Sequence, residues 1–333
     1  LYEQAISKML VDEDLFVTSE NRYALSILYY AEKRILDFFQ RRKDEKNRKI
    51  IATFDEYLVK KQETLGFQLS PEQKKAVELI NNGDKTLFLI GYAGTGKSTS
   101  SRAILELLEE TMSYDDIMTI ALSGIASQRI ADTTGYNSST IQSLLMKHKE
   151  KDFFPYKAIL LDEASMVNSV TFYQIVSKID DDTIFIIVGD DGQLPAIGAG
   201  NVLADAIKYE LAPICKLTKI YRQNENQAIA VIANDIRKGE IPAYKEEYED
   251  FKFVDVSISN YYSQKNSISS NDFADLRGEN SEYILNNILN ISAGYIEEYY
   301  DFIKKKKISK ALTLFQVITP MKAGTLGVDN LNI

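Results

Sequence analysis

Short apolar runs alternate with segments of helical spacing through the middle of the chain. Four of the runs have the length and composition of buried strands. They are 86–90, 116–122, 158–161 and 183–188. Strands that alternate with helices in this way form parallel sheets with helices on both faces. The pattern therefore predicts an α/β fold with a mostly parallel sheet between residues 86 and 240.

The flanking regions have other patterns. Apolar residues at helical spacing in 24–39 predict an amphipathic helix, and the basic run 41–49 is interpreted as a solvated helix face or loop. The stretch 243–300 is rich in Tyr, Asn and Ser; its aromatic residues could stack on bases, although packing against neighbours is the commoner use. Residues 314–320 are typical of a strand that begins a second α/β unit.

These changes of pattern predict three regions. Residues 1–66 form a helical N-terminal segment, and 67–242 form the central α/β domain. Residues 243–333 combine an inserted Tyr- and Asn-rich element with part of a second α/β domain. Ser70, followed by Pro71 and Glu72, is typical of the start of a helix at the beginning of the central domain.

The stretch Gly91–Ser98 has the spacing G-x-x-x-x-G-K-[ST], which cradles phosphate groups in nucleoside triphosphatases. Its glycines let successive backbone N–H groups point inward and form an anion-binding nest. Lys97 can then contact the β- and γ-phosphates, and the Ser98 hydroxyl can bind Mg²⁺. The apolar strand before the loop and the helix after it are the context that the motif requires. The pattern predicts that the chain binds a nucleoside triphosphate with Mg²⁺.

Polar residues follow the later apolar runs. Asp162 and Glu163 come directly after the third run; beside a phosphate loop, the first carboxylate can hold the Mg²⁺ shell and the second can orient or deprotonate the attacking water. Gln193 follows the fourth run and could sense the γ-phosphate by hydrogen bonding. Arg222 could stabilise charge on a transferred phosphoryl group, although an arginine considered alone is more often a surface ion-pair residue.

Composition limits the classes of protein to which this chain can belong. Hydrophobic residues make up 45% and charged residues 26% of 333 residues, which are ordinary values for a globular protein of two or three domains. The net charge of −9 argues against a surface coated with basic residues for nucleic acid, but it allows a local basic groove. With one cysteine, Cys215, and one histidine, His148, neither an internal disulfide nor a zinc cluster can form. We expect His148 at the surface.

The chain contains no apolar run of about 18 residues, so no membrane span is predicted. Its N-terminus has neither an initiator Met nor a signal-peptide pattern, and we interpret it as the boundary of a fragment. A single cysteine fits a reducing compartment. We therefore expect a cytoplasmic protein.

The order of the motifs resembles the RecD-like branch of superfamily 1 DNA helicases, which is related to the exodeoxyribonuclease V alpha subunit. The matching stretches are Leu69–Gln73, Gly91–Thr99, Ser123–Gly124, Ser139–Ile141, Asp162–Val167, Gly189–Gly200, Tyr221–Gln223, Thr319–Lys322 and Leu326–Gly327. The resemblance covers about residues 67 to 333. It implies a RecA-like ATPase domain, the start of a second RecA-like domain, and ATP with Mg²⁺ as cofactors.

The resemblance also implies roles for individual residues. Gln73 would bind the adenine, and Gln193 and Arg222 would sense the γ-phosphate. The implied nucleotide-binding set is Gln73, Gly91, Gly94, Thr95, Gly96, Lys97, Ser98 and Thr99, and the implied catalytic set is Lys97, Asp162, Glu163, Gln193 and Arg222. The implied contacts to single-stranded DNA are Ser123, Gly124, Thr140 and Thr319. Unwinding would run 5′-to-3′, in DNA repair or recombination.

This chain departs from the family pattern in places. Leu122 stands where the family often has Pro, Gln142-Ser143 stand where it commonly has His-Arg, and Gly192 occupies a position that is usually acidic. The later motifs that complete the second RecA-like domain, with its arginine finger, are absent from these residues. We therefore expect the chain to bind ATP but to hydrolyse it poorly.

Two alternatives to a helicase stay open. One is a nucleotide-gated DNA-binding or scaffold subunit that changes shape without unwinding, although the second carboxylate, Glu163, favours an enzyme. The other is a signalling nucleoside triphosphatase unrelated to nucleic acid, which the ordered motifs disfavour. RecB- or RecC-like subunits are partners that such a chain could have, and the sequence leaves open whether any exist.

Overall fold

The structure, a computed structural model, describes residues 2–17, 22–219, 228–241, 251, 272–306, 314, 317–319 and 322–331. The chain divides into two compact units, Leu1–Asp250 and Phe251–Ile333.

The described residues of the first unit contain eight strands. They are β1 (Leu15–Val17), β2 (Tyr23–Leu25), β3 (Thr86–Gly91), β4 (Ile117–Ala121), β5 (Ser138–Thr140), β6 (Ala158–Leu161), β7 (Ile184–Gly189) and β8 (Ile214–Leu217). The first two form an antiparallel pair, and the other six form one sheet in the order β5-β4-β6-β7-β3-β8. Every neighbouring pair in that sheet is parallel. The predicted α/β fold with a parallel sheet is confirmed.

The part of the same unit that the structure describes also contains ten helices. They are α1 (Tyr2–Val11), α2 (Ser26–Arg42), α3 (Phe54–Leu65), α4 (Pro71–Asn81), α5 (Lys97–Leu108), α6 (Gly124–Thr134), α7 (Ile141–Lys147), α8 (Ser169–Val176), α9 (Val202–Lys208) and α10 (Ala228–Lys238). Short 3₁₀ turns occur at Tyr114–Asp116 and Ala164–Met166. The second unit contains α11 (Asp272–Lys304) and α12 (Val328–Leu331). No helix in the described ranges is long and apolar enough to cross a membrane.

The sheet has a hydrophobic core on each face. Because successive side chains of a strand point to opposite faces, Phe88 and Ile90 of β3 pack in one core while Leu87 and Leu89 pack in the other. The first core includes residues of α2 and α8, and the second includes residues of α4 and α5. Both faces of the sheet are therefore covered, which is why its strands are continuous apolar runs.

The basic run 41–49, which begins in the last turn of α2, is only partly solvated, so the prediction for it is wrong at Arg42. That side chain is 3% exposed, and its guanidinium donates to Thr86 Oγ1 at 3.0 Å. It also donates to backbone carbonyls, which are those of Lys85, Asp180, Asp181 and Thr183. Five donors in a fixed fork suit a cluster of carbonyls at the end of a sheet. Through Arg42, helix α2 is bonded directly to the segments around β3 and β7.

His148 is buried, and the expectation that it lies at the surface is wrong. It is 5% exposed and follows the last residue of α7. Its ring lies edge-on to Phe154 and Tyr156, with centroids 5.9 and 5.8 Å away. Within the described part of the chain, neither ring nitrogen has a hydrogen-bond partner. Tertiary packing of α7 against an aromatic pair, which composition cannot show, determines its position.

Other predicted elements differ in detail. The sequence of residues 138–145 is typical of one short capped helix, but Ser138–Thr140 pairs with β4 as an edge strand and the helix begins at Ile141. The N-terminal segment contains the β1–β2 pair in addition to helices. In the predicted strand 314–320, residue 314 is helical and 317–319 are not in a strand; the rest lies outside the described residues.

Candidate nucleotide-binding site

The phosphate loop joins the end of β3 to the start of α5. Gly94 and Gly96 have φ values of 84° and 89°, in the left-handed region that favours glycine. Thr95 between them is buried, and its hydroxyl donates to the Tyr92 carbonyl at 2.8 Å. Helix α5 begins at Lys97, directly after Gly96. The loop thus turns its backbone over a helix N-terminus, where N–H groups bind anions.

The lysine of the loop is folded back on its own loop. Lys97 Nζ donates to the carbonyl oxygens of Gly91 at 2.5 Å and Tyr92 at 3.0 Å. Burial lowers the pKa of Lys97, and the nearby carboxylates of Asp190 and Asp162 oppose that effect. Phosphate oxygens are stronger acceptors than neutral carbonyls, so they would replace these partners when a nucleotide binds.

The acidic pair follows β6 at the same edge of the sheet. Asp162 Oδ1 accepts the Glu163 backbone N–H at 2.9 Å, and burial raises the pKa of Asp162. The pKa of Glu163 is raised by burial and then by the charge of Asp162. Glu163 also has a φ of 53°, a conformation that non-glycine residues rarely adopt and that is common at functional sites. Because burial disfavours the charged form of both carboxylates, a nearby cation would stabilise them.

The turn after β7 carries Gln193. Asp190 Oδ1 accepts the Gly192 N–H at 3.0 Å, and Gln193 N–H donates to the Asp190 carbonyl at 3.3 Å. The Gln193 side chain accepts a hydrogen bond from Ser165 Oγ at 3.2 Å. Gln193 is therefore tied to the segment that follows the acidic pair.

These groups meet in one cleft of about 270 Å³ at the carboxyl edge of the parallel sheet. Ligands of open α/β sheets bind at this edge. The predicted residues that line the cleft are Gly94, Gly96, Lys97, Ser98, Thr99, Asp162, Glu163 and Gln193.

Other predicted residues lie elsewhere. Gly91 ends β3 and contributes its carbonyl to Lys97, while Thr95 points inward. Gln73 is buried in the first turn of α4, where its Oε1 accepts the Ser70 N–H at 2.8 Å. It is not among the described residues that line the cleft. Arg222 lies outside the described residues.

The residues present fit a Mg²⁺ ion that binds together with the nucleotide. Ser98 and Asp162 line the same cleft, and the raised pKa of Asp162 means that a nearby cation would stabilise its charged form. In the described ranges no group of three or more His, Cys, Asp or Glu residues is arranged to hold a metal. A phosphate-loop site needs none, because Mg²⁺ there takes few protein ligands and is completed by phosphates and water.

Three of the predicted DNA-contacting residues lie together at the carboxyl edge of β4 and β5. Ala121 at the end of β4 pairs with Thr140 of β5. Ser123 caps α6 by accepting the Ala126 N–H at 3.1 Å, and Gly124 is the first residue of that helix. Thr140 caps α7 in the same way. The fourth residue, Thr319, lies in the second unit, where its hydroxyl donates to the Leu326 carbonyl at 2.7 Å.

Two arginines at the site were not predicted. Arg129 of α6 lines the cleft, where its charge partly opposes the rise in the pKa of Asp162 and of Glu163 that burial causes. Arg237 of α10 donates to Asp190 and lies over the ring of Tyr92. Neither belongs to a short motif. Their only sequence signal is a basic residue on a helix that follows a candidate site segment.

Known proteins provide an independent comparison. A sequence profile of the AAA domain family matches residues 68–257, more than half of the chain. The ATP-dependent RecD2 DNA helicase of Deinococcus radiodurans is 29% identical over 240 residues, which cover 68% of this chain and 32% of that protein. The RecBCD enzyme subunit RecD of Buchnera aphidicola is 24% identical over 315 residues, which cover 77% of this chain and 49% of that protein.

Among solved structures, the crystal structure of Pif1 helicase from Bacteroides in complex with ADP-AlF3 and ssDNA matches with a TM-score of 0.39 and 24% identity, over 53% of this chain and 48% of that chain. The chain spans about a third and about a half of the length of the two curated relatives. Those relatives confirm the resemblance to RecD-like helicases, and the chain belongs to the AAA domain family.

Proposed function

We propose that the protein is an ATP-dependent DNA helicase that couples ATP hydrolysis to movement along single-stranded DNA. The observation that carries the proposal is that Lys97, the acidic pair and Gln193 line one cleft at the carboxyl edge of the parallel sheet. ATP and Mg²⁺ are the proposed cofactors.

Each group in the cleft has a proposed task. Lys97 binds the β- and γ-phosphates, while Ser98 and Asp162 hold Mg²⁺, which neutralises phosphate charge when bound. Glu163 orients and deprotonates the attacking water. Gln193 responds to the γ-phosphate together with Arg222, which lies outside the described residues. Gln73, which is not among the described residues that line the cleft, is proposed to bind the base.

Single-stranded DNA is the proposed partner, with Ser123, Gly124, Thr140 and Thr319 as its contacts. In the sheet, β4 lies between β5 and β6, so the proposed contacts at β4 and β5 begin one strand away from the acidic pair. This proximity supports direct coupling between nucleotide and DNA. The two relatives described above, a DNA helicase and a RecBCD subunit, support the same assignment.

Further parts of the proposal rest on the resemblance or on sequence composition, and not on the geometry of the site. They are 5′-to-3′ polarity, a role in repair or recombination, cytoplasmic location, and association with RecB- or RecC-like subunits. The three-region division at residues 66 and 242 is likewise a proposal.

The test is ATP binding and hydrolysis in Mg²⁺, measured with and without single-stranded DNA, with Lys97→Ala as the blank. We expect DNA to raise ATP affinity or turnover in the wild type, because two coupled sites must affect each other. An ATP-binding wild type on which DNA has no effect would contradict the DNA part of the proposal. The expectation that this chain turns ATP over slowly stays a prediction, and the same assay measures it.

A further inference from the structure

Arg237 contacts two parts of the site from helix α10. Its Nη2 donates to both carboxylate oxygens of Asp190, each at 3.1 Å. Its guanidinium carbon lies 3.6 Å from the centre of the ring of Tyr92, the second residue of the phosphate loop. A Cβ atom on Gly192 would collide with Arg237 Nε. The arginine thus joins α10 to the phosphate loop and to the turn that carries Gln193.

Asp190 needs a cationic partner because it is only 2% exposed. A buried carboxylate without a compensating charge is strongly unfavourable. Its Oδ1 also accepts the Gly192 N–H, so the carboxylate is held in the turn after β7. Arg237, whose side chain is 27% exposed, supplies the compensating charge.

A second cation lies near Asp190. Pairing of β3 with β7 places Ile90 opposite Gly189; Gly91, the last residue of β3, and Asp190, which directly follows β7, are the next residues along the two chains. Lys97 Nζ donates to the Gly91 carbonyl. Of the two carboxylates whose charges raise the pKa of Lys97 against the effect of burial, Asp190 has the larger effect and Asp162 the smaller. Lys97 is therefore a second cation within electrostatic reach of the buried carboxylate that Arg237 binds.

We infer that Arg237 is a positioning residue that holds the Asp190 carboxylate and so keeps it from capturing Lys97, which leaves the lysine available for phosphate. The inference rests on the proposed nucleotide site. Without Arg237, Asp190 would pair with Lys97, and a nucleotide would have to displace a carboxylate instead of two neutral carbonyls. Ion pairs to carboxylates are stronger than bonds to neutral acceptors, so nucleotide affinity would fall.

Gly192 is part of the same arrangement. A side chain at this position would occupy the space of the guanidinium. Gly192 therefore makes room for Arg237 in this chain, at a position where RecD-like helicases usually have an acidic residue.

The test is a double-mutant cycle on Mg²⁺-ATP affinity, measured by titration of a fluorescent ATP analogue into the whole chain. We expect Arg237→Gln to weaken binding by on the order of tenfold in the wild-type background. In the Asp190→Asn background the same change should weaken binding by less than about twofold, because no carboxylate is left to capture the lysine. Arg237→Lys, which keeps a positive charge, should restore part of the affinity. Lys238→Ala, the exposed neighbour on α10, is the matched control and should bind like the wild type.

An equal loss in both backgrounds would overturn the inference, since Arg237 would then act only as a structural support. No loss in either background would also overturn it. If Arg237→Gln does not fold, Gly192→Ala is measured in its place, because the added methyl group displaces the guanidinium. The loss of ATP affinity caused by Gly192→Ala should likewise disappear in the Asp190→Asn background. A wild type that binds ATP no better than Lys97→Ala would overturn the proposed function itself, and this inference with it.

Discussion

Ser165 Oγ lies 3.2 Å from Gln193 Oε1, and this hydrogen bond joins the segment after the acidic pair to the turn after β7. Ser165 is buried, so its hydroxyl has little access to water as an alternative partner. The bond restrains the side chain that is proposed to respond to the γ-phosphate. A movement of Gln193 at the end of β7 in response to the phosphate would therefore also move Ser165, near the end of β6.

Ser165→Ala should lower the single-turnover rate of ATP hydrolysis on the order of tenfold, because Gln193 loses its restraint. ATP affinity should change little, since the phosphate loop is untouched. Gln193→Ala should give a similar loss, and the double variant should be no worse than either single variant. Additive losses would show that the two residues act independently.

Glu163→Gln should retain ATP binding and lose hydrolysis by at least about 10²-fold, because the amide cannot accept the proton of the attacking water. The wild-type rate should also fall at acid pH. Burial and the charge of Asp162 raise the pKa of Glu163 above 4.5, so the carboxylate becomes protonated at a higher pH than an ordinary glutamate. A pH profile of single-turnover hydrolysis measures this. A rate that stays constant down to pH 4.5 would contradict the assignment.

Arg42→Met should reduce the free energy of unfolding by about 3 kcal/mol, since it leaves several carbonyls at the end of the sheet without their donor. Urea denaturation measures the loss. Arg41→Ala is the matched control, because Arg41 is the neighbouring arginine and its side chain is 63% exposed. Equal effects of the two substitutions would show that the buried hydrogen bonds contribute little.

His148 should make stability depend on pH. Burial, together with the charges of Lys151, Lys147 and Lys178, lowers the pKa of His148 below 6.5. Since the unfolded chain then binds the proton more readily, the contribution of the neutral ring is complete above pH 6.5 and is lost as pH falls toward the lowered pKa. Thermal unfolding should show a smaller loss between pH 7.5 and 5.5 for His148→Phe than for the wild type. Equal losses would contradict this account.

Local signals predicted the parts of the site that lie within one short stretch of sequence. The apolar strand, glycines and helix of the phosphate loop follow from spacing, and β3 and α5 lie on either side of it. Ser70 was predicted as the cap of α4, and its hydroxyl accepts the Gln73 N–H. In each case the residues that determine the conformation lie within one short stretch of the sequence.

Long-range contacts determine the positions of the residues that local sequence signals did not place correctly. Arg237 meets Asp190 and Tyr92 only because α10 packs beside the carboxyl edge of the sheet. Arg42 is buried because carbonyls from two separate segments converge on it. His148 is buried because Phe154 and Tyr156 pack against its ring. None of these partners is marked by periodicity, so composition alone placed Arg42 and His148 at the surface.

The central claim is tested most directly by measuring Mg²⁺-ATP binding to the wild type and to Lys97→Ala while single-stranded DNA is titrated against each. We expect the wild type to bind ATP and Lys97→Ala to lose at least about tenfold in affinity, because the lysine is the main cation for the phosphates. Both should bind single-stranded DNA, and ATP should change DNA affinity in the wild type alone. Equal ATP binding by the two proteins, or DNA binding that ATP never alters, would contradict the account.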